Sequence, residues 1–93
     1  MNATETFRIS DGVTWDRSDG QVVILNPDGT EMLTLNEVGS VIWPELAQPV
    51  GLQQIVDTLA AQFADVDPAT LRADLEVFLG DLGREGLISS AEV

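Results

Sequence analysis

The chain has 93 residues, 44% of them apolar, and a formal net charge of −12 from sixteen acidic residues against four arginines, with no lysine, histidine, cysteine or tyrosine. That composition excludes a thiol or amine nucleophile, an imidazole base and a phenolic acid, so the hydroxyls that remain have no activating partner and a binding module is expected, not an enzyme. It equally excludes disulfides and cysteine-held zinc, and it turns phosphate backbones and anionic membranes away while attracting basic peptides.

A chain of this length makes one domain, 1–93, with an ordered core expected over about 6–88, and can bury only roughly 60 to 65 per cent of its unfolded surface. Val, Ile, Leu and Phe are frequent enough to offset the ordering entropy despite the charge. Residues 1–6 hold no basic patch leading into an apolar run, and no apolar stretch approaches membrane-spanning length. A reducing cytoplasm is therefore the expected location, with no metal and no cofactor.

The first third has strand character. Val13 and Trp15 alternate with Thr14 and Asp16, Ser18, Asp19 and Gly20 make a turn, and Val22, Val23, Ile24 and Leu25 form the continuous apolar run of a central strand. Asn26, Pro27, Asp28 and Gly29 carry the chemistry of a type I or II turn, after which Thr30 to Leu35 forms a third strand. Two hairpins in series predict a three-stranded antiparallel meander whose third strand is an edge.

The rest has helical periodicity. Asn36 caps a first helix carrying Val38, Val41, Ile42 and Leu46, which Pro44 makes short or kinked. Leu52, Ile55, Leu59 and Phe63 recur on one stripe of a second helix whose only available cap is Gly51. Asp67 at the cap, Pro68 at the first position and Gly86 as the stop bound a third helix with Leu71, Leu75, Phe78 and Leu82 as its core stripe. Asp74, Asp81 and Glu85 fall along one flank of that stripe, beside Phe78. Gly80 and Gly83 weaken the C-terminal half of this helix by roughly 0.5 to 1 kcal/mol each relative to Ala, or else permit close backbone approach.

Strands followed by three helices make an α+β, winged-helix-like fold, and within it Leu35-Asn36-Glu37-Val38-Gly39-Ser40-Val41-Ile42-Trp43 resembles the L-N-x-x-G-x-x-I-W segment of the PqqD-like family. Ile55, Leu59 and Phe63 are similar to that family's second helix. Asp74-Leu75-Glu76-Val77-Phe78-Leu79 with Leu82 and Gly86-Leu87-Ile88 resembles its ending, so the likeness runs from about Val13 to Ile88. Pro44 and Gly51 depart from the family's usual residues. The resemblance implies a recognition element for ribosomally made peptide natural products, similar to the stand-alone copies of lasso-peptide pathways. Such an element binds the leader segment of a precursor peptide and presents it to a leader peptidase or other modifying enzyme. It implies a leader strand added beside the third strand and lying against the third helix, which singles out Glu31, Met32, Leu33, Thr34, Asp74, Val77, Phe78 and Asp81 as peptide-binding residues.

Each of these residues also has a plain structural role open to it. Trp15, Trp43 and Phe63 fit a core, Asp74 and Asp81 fit solvated charges, and Glu31 fits a guard against edge-to-edge aggregation. The alternative function, nucleic-acid binding or a transcription-associated adaptor built on the winged-helix shape, is opposed by a third helix with only Arg72 and Arg84 amid its acids. A carrier protein would need a modifiable serine in a D-S-L context, which is absent. A metalloenzyme would need a third ligand beside Asp74 and Asp81.

Overall fold

The computed structural model describes residues 5–92. Its hairpins follow from local backbone chemistry. Asp19 and Gly20 take positive φ values of 53° and 81°, the I′ geometry whose twist matches paired strands. They join β2 (Thr14–Ser18) to β3 (Gln21–Leu25) in the register Trp15↔Ile24. Pro27 and Asp28 occupy the centre of the next turn, closed by the Gly29 amide donating to the Asn26 carbonyl at 2.9 Å. Gly29 takes φ of 72° while Asp28 stays negative, which makes the turn type I. It leads into β4 (Met32–Thr34), paired to β3 in the register Ile24↔Leu33.

The meander is as expected, with a third strand shorter than Thr30 to Leu35: Glu31 lies just before it. The expected strand count is corrected. A second three-stranded sheet is built by β1 (Glu5–Ile9), β5 (Val50–Gly51) and β6 (Ile88–Glu92), in the order β5-β1-β6. The secondary structure of the described residues runs from Glu5 to Glu92. Phe7 pairs with Ser90 and Val50, tying both ends and the middle of the chain together.

Three helices cover the sheets: α1 (Glu37–Glu45), α2 (Leu52–Gln62) and α3 (Pro68–Arg84). Asn36 caps α1 by accepting the Gly39 amide at 2.9 Å. Pro44 lies in its last turn and has no amide for the Ser40 carbonyl, which instead accepts from Arg17 Nη2 at 3.4 Å. Gly51 offers α2 no side chain, but Gln54 reaches back and accepts the Gly51 amide at 2.9 Å. Asp67 accepts the Ala69 amide at the head of α3. At its foot Leu87 donates to the Leu82 carbonyl and Gly86 to that of Gly83, a Schellman closure with Gly86 at φ 74°.

The core gathers residues of β1, β3, β6 and the three helices, while β2 and β4 contribute no buried residue. Val22 and Ile24 from β3, Trp43 from α1, Ile55 and Leu59 from α2, and Leu75 and Leu79 from α3 are all buried. Side chains of this size contribute about 1.5 to 3 kcal/mol each when fully buried. The α3 stripe differs from expectation by one position: Leu79 is buried, and Phe78 is half-buried at the rim. Trp15 is exposed by 37% whereas Trp43 is wholly enclosed, its indole nitrogen the one buried side-chain polar atom without a partner among the described residues. A Cβ on Gly83 would meet nothing, and one on Gly80 only the end of Arg84, so neither glycine serves a close approach.

Candidate functional site

The side of β4 away from β3 is unpaired, and the register determines what it offers. Leu35 donates to the Val22 carbonyl at 2.8 Å, and Asn26 donates to that of Glu31 at 3.2 Å. Alternation along an antiparallel ladder then turns the backbone groups of Glu31, Leu33 and Leu35 toward β3 and those of Met32 and Thr34 outward. Side chains alternate as well. Leu33 lies on the face of Ile24, whereas Met32, 73% exposed, lies on the opposite face with Leu25.

Beside this edge runs a groove of about 730 Å³ between β4 and the second half of α3. Ile24, Leu33, Leu35, Phe78, Leu82 and Leu87 supply its apolar lining, and Asn26, Glu31, Asp81, Arg84 and Glu85 its polar rim. Asn26 organises one end. Its side-chain oxygen accepts the Thr30 and Glu31 amides at 2.9 and 3.1 Å, and its amide group donates to the Thr30 hydroxyl. Asp81 and Arg84 form an ion pair on the α3 wall. A second, smaller cavity of about 350 Å³ lies between α1, α2 and α3, and it shares Asn36 and Phe78 with the first as a common wall.

This geometry sorts the expected site residues. Glu31, Met32, Leu33, Thr34, Phe78 and Asp81 come together on the groove. Asp74 opens instead onto the second cavity, next to Val38, Phe63, Val66 and Leu71, and Val77 is 65% exposed and lines neither. The acidic flank of α3 is therefore divided at Phe78. Sequence reasoning passed over Arg84 as a groove residue; its signal was the Asp81-x-x-Arg84 spacing, which brings opposite charges together on a helix. Among the described residues no three carboxylates are grouped so as to hold a metal ion, and no helix is long and apolar enough to cross a membrane.

The sequence profile of the family described as coenzyme PQQ synthesis protein D (PqqD) matches residues 21–88, which take in β3 and β4 of the meander, all three helices and both walls of the groove. The chain belongs to the PqqD family. Among solved structures, this PqqD-family chain is similar to TbiB1 in complex with the TbiA(beta) leader peptide, at 34% identity and a TM-score of 0.80 over 88% of this chain and 94% of that one. It is also similar to the PqqD truncation of Methylobacterium extorquens PqqCD, solved in solution as a recognition element for ribosomally synthesized and post-translationally modified peptides. There the identity is 22% and the TM-score 0.73, over 90% and 88% of the two chains, a likeness of fold. No protein of curated function matches the chain.

Proposed function

We propose that this PqqD-family domain binds the leader segment of a ribosomally made precursor peptide by strand addition to β4 and presents it to a modifying enzyme, a leader peptidase being the first candidate. The observation that carries the reading is the unpaired edge of β4 beside a groove with an apolar lining. TbiB1, 34% identical, was solved with a leader peptide, which supports it further.

The energetics call for both features. Met32 and Thr34 offer an incoming strand about four backbone hydrogen bonds at roughly 0.5 to 1.5 kcal/mol net each, while ordering a flexible leader costs about 2 to 5 kcal/mol. Affinity must come from apolar side chains filling the groove near Leu33, Phe78 and Leu82. Asp74 enters the site if the leader continues past the wall formed by Asn36 and Phe78. In this reading the domain itself performs no catalytic step, needs no cofactor and works in a reducing cytoplasm. Duplex DNA is repelled by a net charge of −12.

Isothermal titration with the synthetic leader of the precursor encoded beside it tests the reading. One-to-one binding without metal is expected, with Kd from nanomolar to low micromolar, about −12 to −8 kcal/mol. No heat at tens of micromolar would defeat it, and a mobility shift with duplex DNA at moderate salt would favour the nucleic-acid reading.

A further inference from the structure

Asn36 and Phe78 close one end of the groove, and both walls change character away from it. Along β4 the lining passes from Leu35 and Leu33 to Glu31. Along α3, one and two helical turns past Phe78, come Asp81 and Glu85. Of these carboxylates only Asp81 is neutralised, by Arg84; Glu31 and Glu85 have no side-chain ion pair among the described residues. All the carboxylates of the groove thus lie away from the end closed by Asn36 and Phe78, and Leu82 and Leu87 carry the apolar lining on among them.

From this gradient we infer that the groove selects leaders in which apolar residues are followed, toward the C-terminus, by a lysine or arginine. Direction follows from pairing. Antiparallel addition is the more stable mode per residue, and it sets the N-terminal part of the added strand beside Leu35 and Phe78 and the later part beside Glu31. A cation there meets two unneutralised carboxylates, whereas an acidic residue meets repulsion. The inference rests on the strand-addition reading above and adds to it the chemistry and order of the peptide.

Selection of a random dodecapeptide display library on the purified domain is the test. Enrichment of peptides with an apolar stretch and then Lys or Arg is expected. Enriched peptides without a positional basic residue, or with the basic residue before the apolar stretch, would overturn the inference and leave strand addition standing; no enrichment at all would remove the reading beneath it. Point variants give opposite signs on a synthetic copy of a selected peptide. Glu31→Lys with Glu85→Lys is expected to weaken binding about tenfold. Arg84→Ala releases Asp81 and is expected to strengthen binding about threefold, a gain that damage to the fold does not produce. Circular dichroism confirms that each variant is folded, and unchanged affinity in both variants would overturn the charge assignment.

Discussion

The Ser40 hydroxyl accepts the Val22 amide at 2.9 Å and donates to the Leu35 carbonyl at 3.3 Å, so a residue of α1 completes the last rung of the ladder between β3 and β4. The other bond of that rung, from Leu35 to Val22, is direct. Ser40 is buried, and through it the first helix holds the strand whose outer edge is proposed to receive the peptide. Ser40→Ala leaves a buried amide without a partner and is expected to lower stability by about 1 to 3 kcal/mol. Urea unfolding checks this: the midpoint falls while the slope stays constant.

Proline scanning of β4 separates its two edges. Met32→Pro removes an amide that points outward, a substitution that edge strands tolerate, so leader binding is lost and the helical circular dichroism is kept. Leu33→Pro removes a donor to β3 and is expected to lower the melting temperature as well. Full leader binding by Met32→Pro would show that the peptide docks elsewhere.

Gly39 accounts for the glycine of the L-N-x-x-G motif. A Cβ there would lie 3.1 Å from Leu35 Cβ and 3.3 Å from the tip of the Phe78 ring, both closer than packed side chains accept without movement. Gly39→Ala is expected to cost about 1 to 3 kcal/mol by overpacking the wall between the two cavities. Phe78→Ala removes one of these contacts and leaves that to Leu35, so the double variant loses somewhat less than the sum of the two single ones, which a double-mutant cycle of melting measurements reads directly. Strict additivity would place Gly39 outside this contact.

Three lysine substitutions map the acids. Asp81→Lys is expected to change stability by only about 0.5 kcal/mol and to weaken a basic leader by about 1 to 2 kcal/mol, a difference that shrinks with added salt. Asp74→Lys is expected to cost less, because that carboxylate opens onto the second cavity. A loss equal to that of Asp81→Lys would show the leader crossing the wall formed by Asn36 and Phe78. Asp57→Lys, on the exposed face of α2, makes the same charge change away from both cavities and keeps near wild-type affinity. Equal affinities for all three variants would remove the carboxylates from the site.

What the sequence determined by itself was local: the Asp19-Gly20 and Pro27-to-Gly29 turns, the Asn36 and Asp67 caps, the Gly86 stop, and the central place of Val22 to Leu25. Each depends on backbone preferences and hydrogen bonds within a few residues, which neighbouring residue types state directly. The second sheet was not legible, because Ile88-Ser89-Ser90-Ala91-Glu92 has little strand character and becomes a strand only by pairing with β1 at the other end of the chain. The same holds for the site. Helical periodicity put Asp74, Asp81 and Glu85 on one flank of α3, but periodicity describes a helix in isolation. The placement of β4 and α1 beside that helix set Phe78 as a wall, sent Asp74 to one cavity and Asp81 and Glu85 to the other, and brought Arg84 to the groove. Those divisions depend on contacts between segments tens of residues apart, and only the tertiary structure decides them.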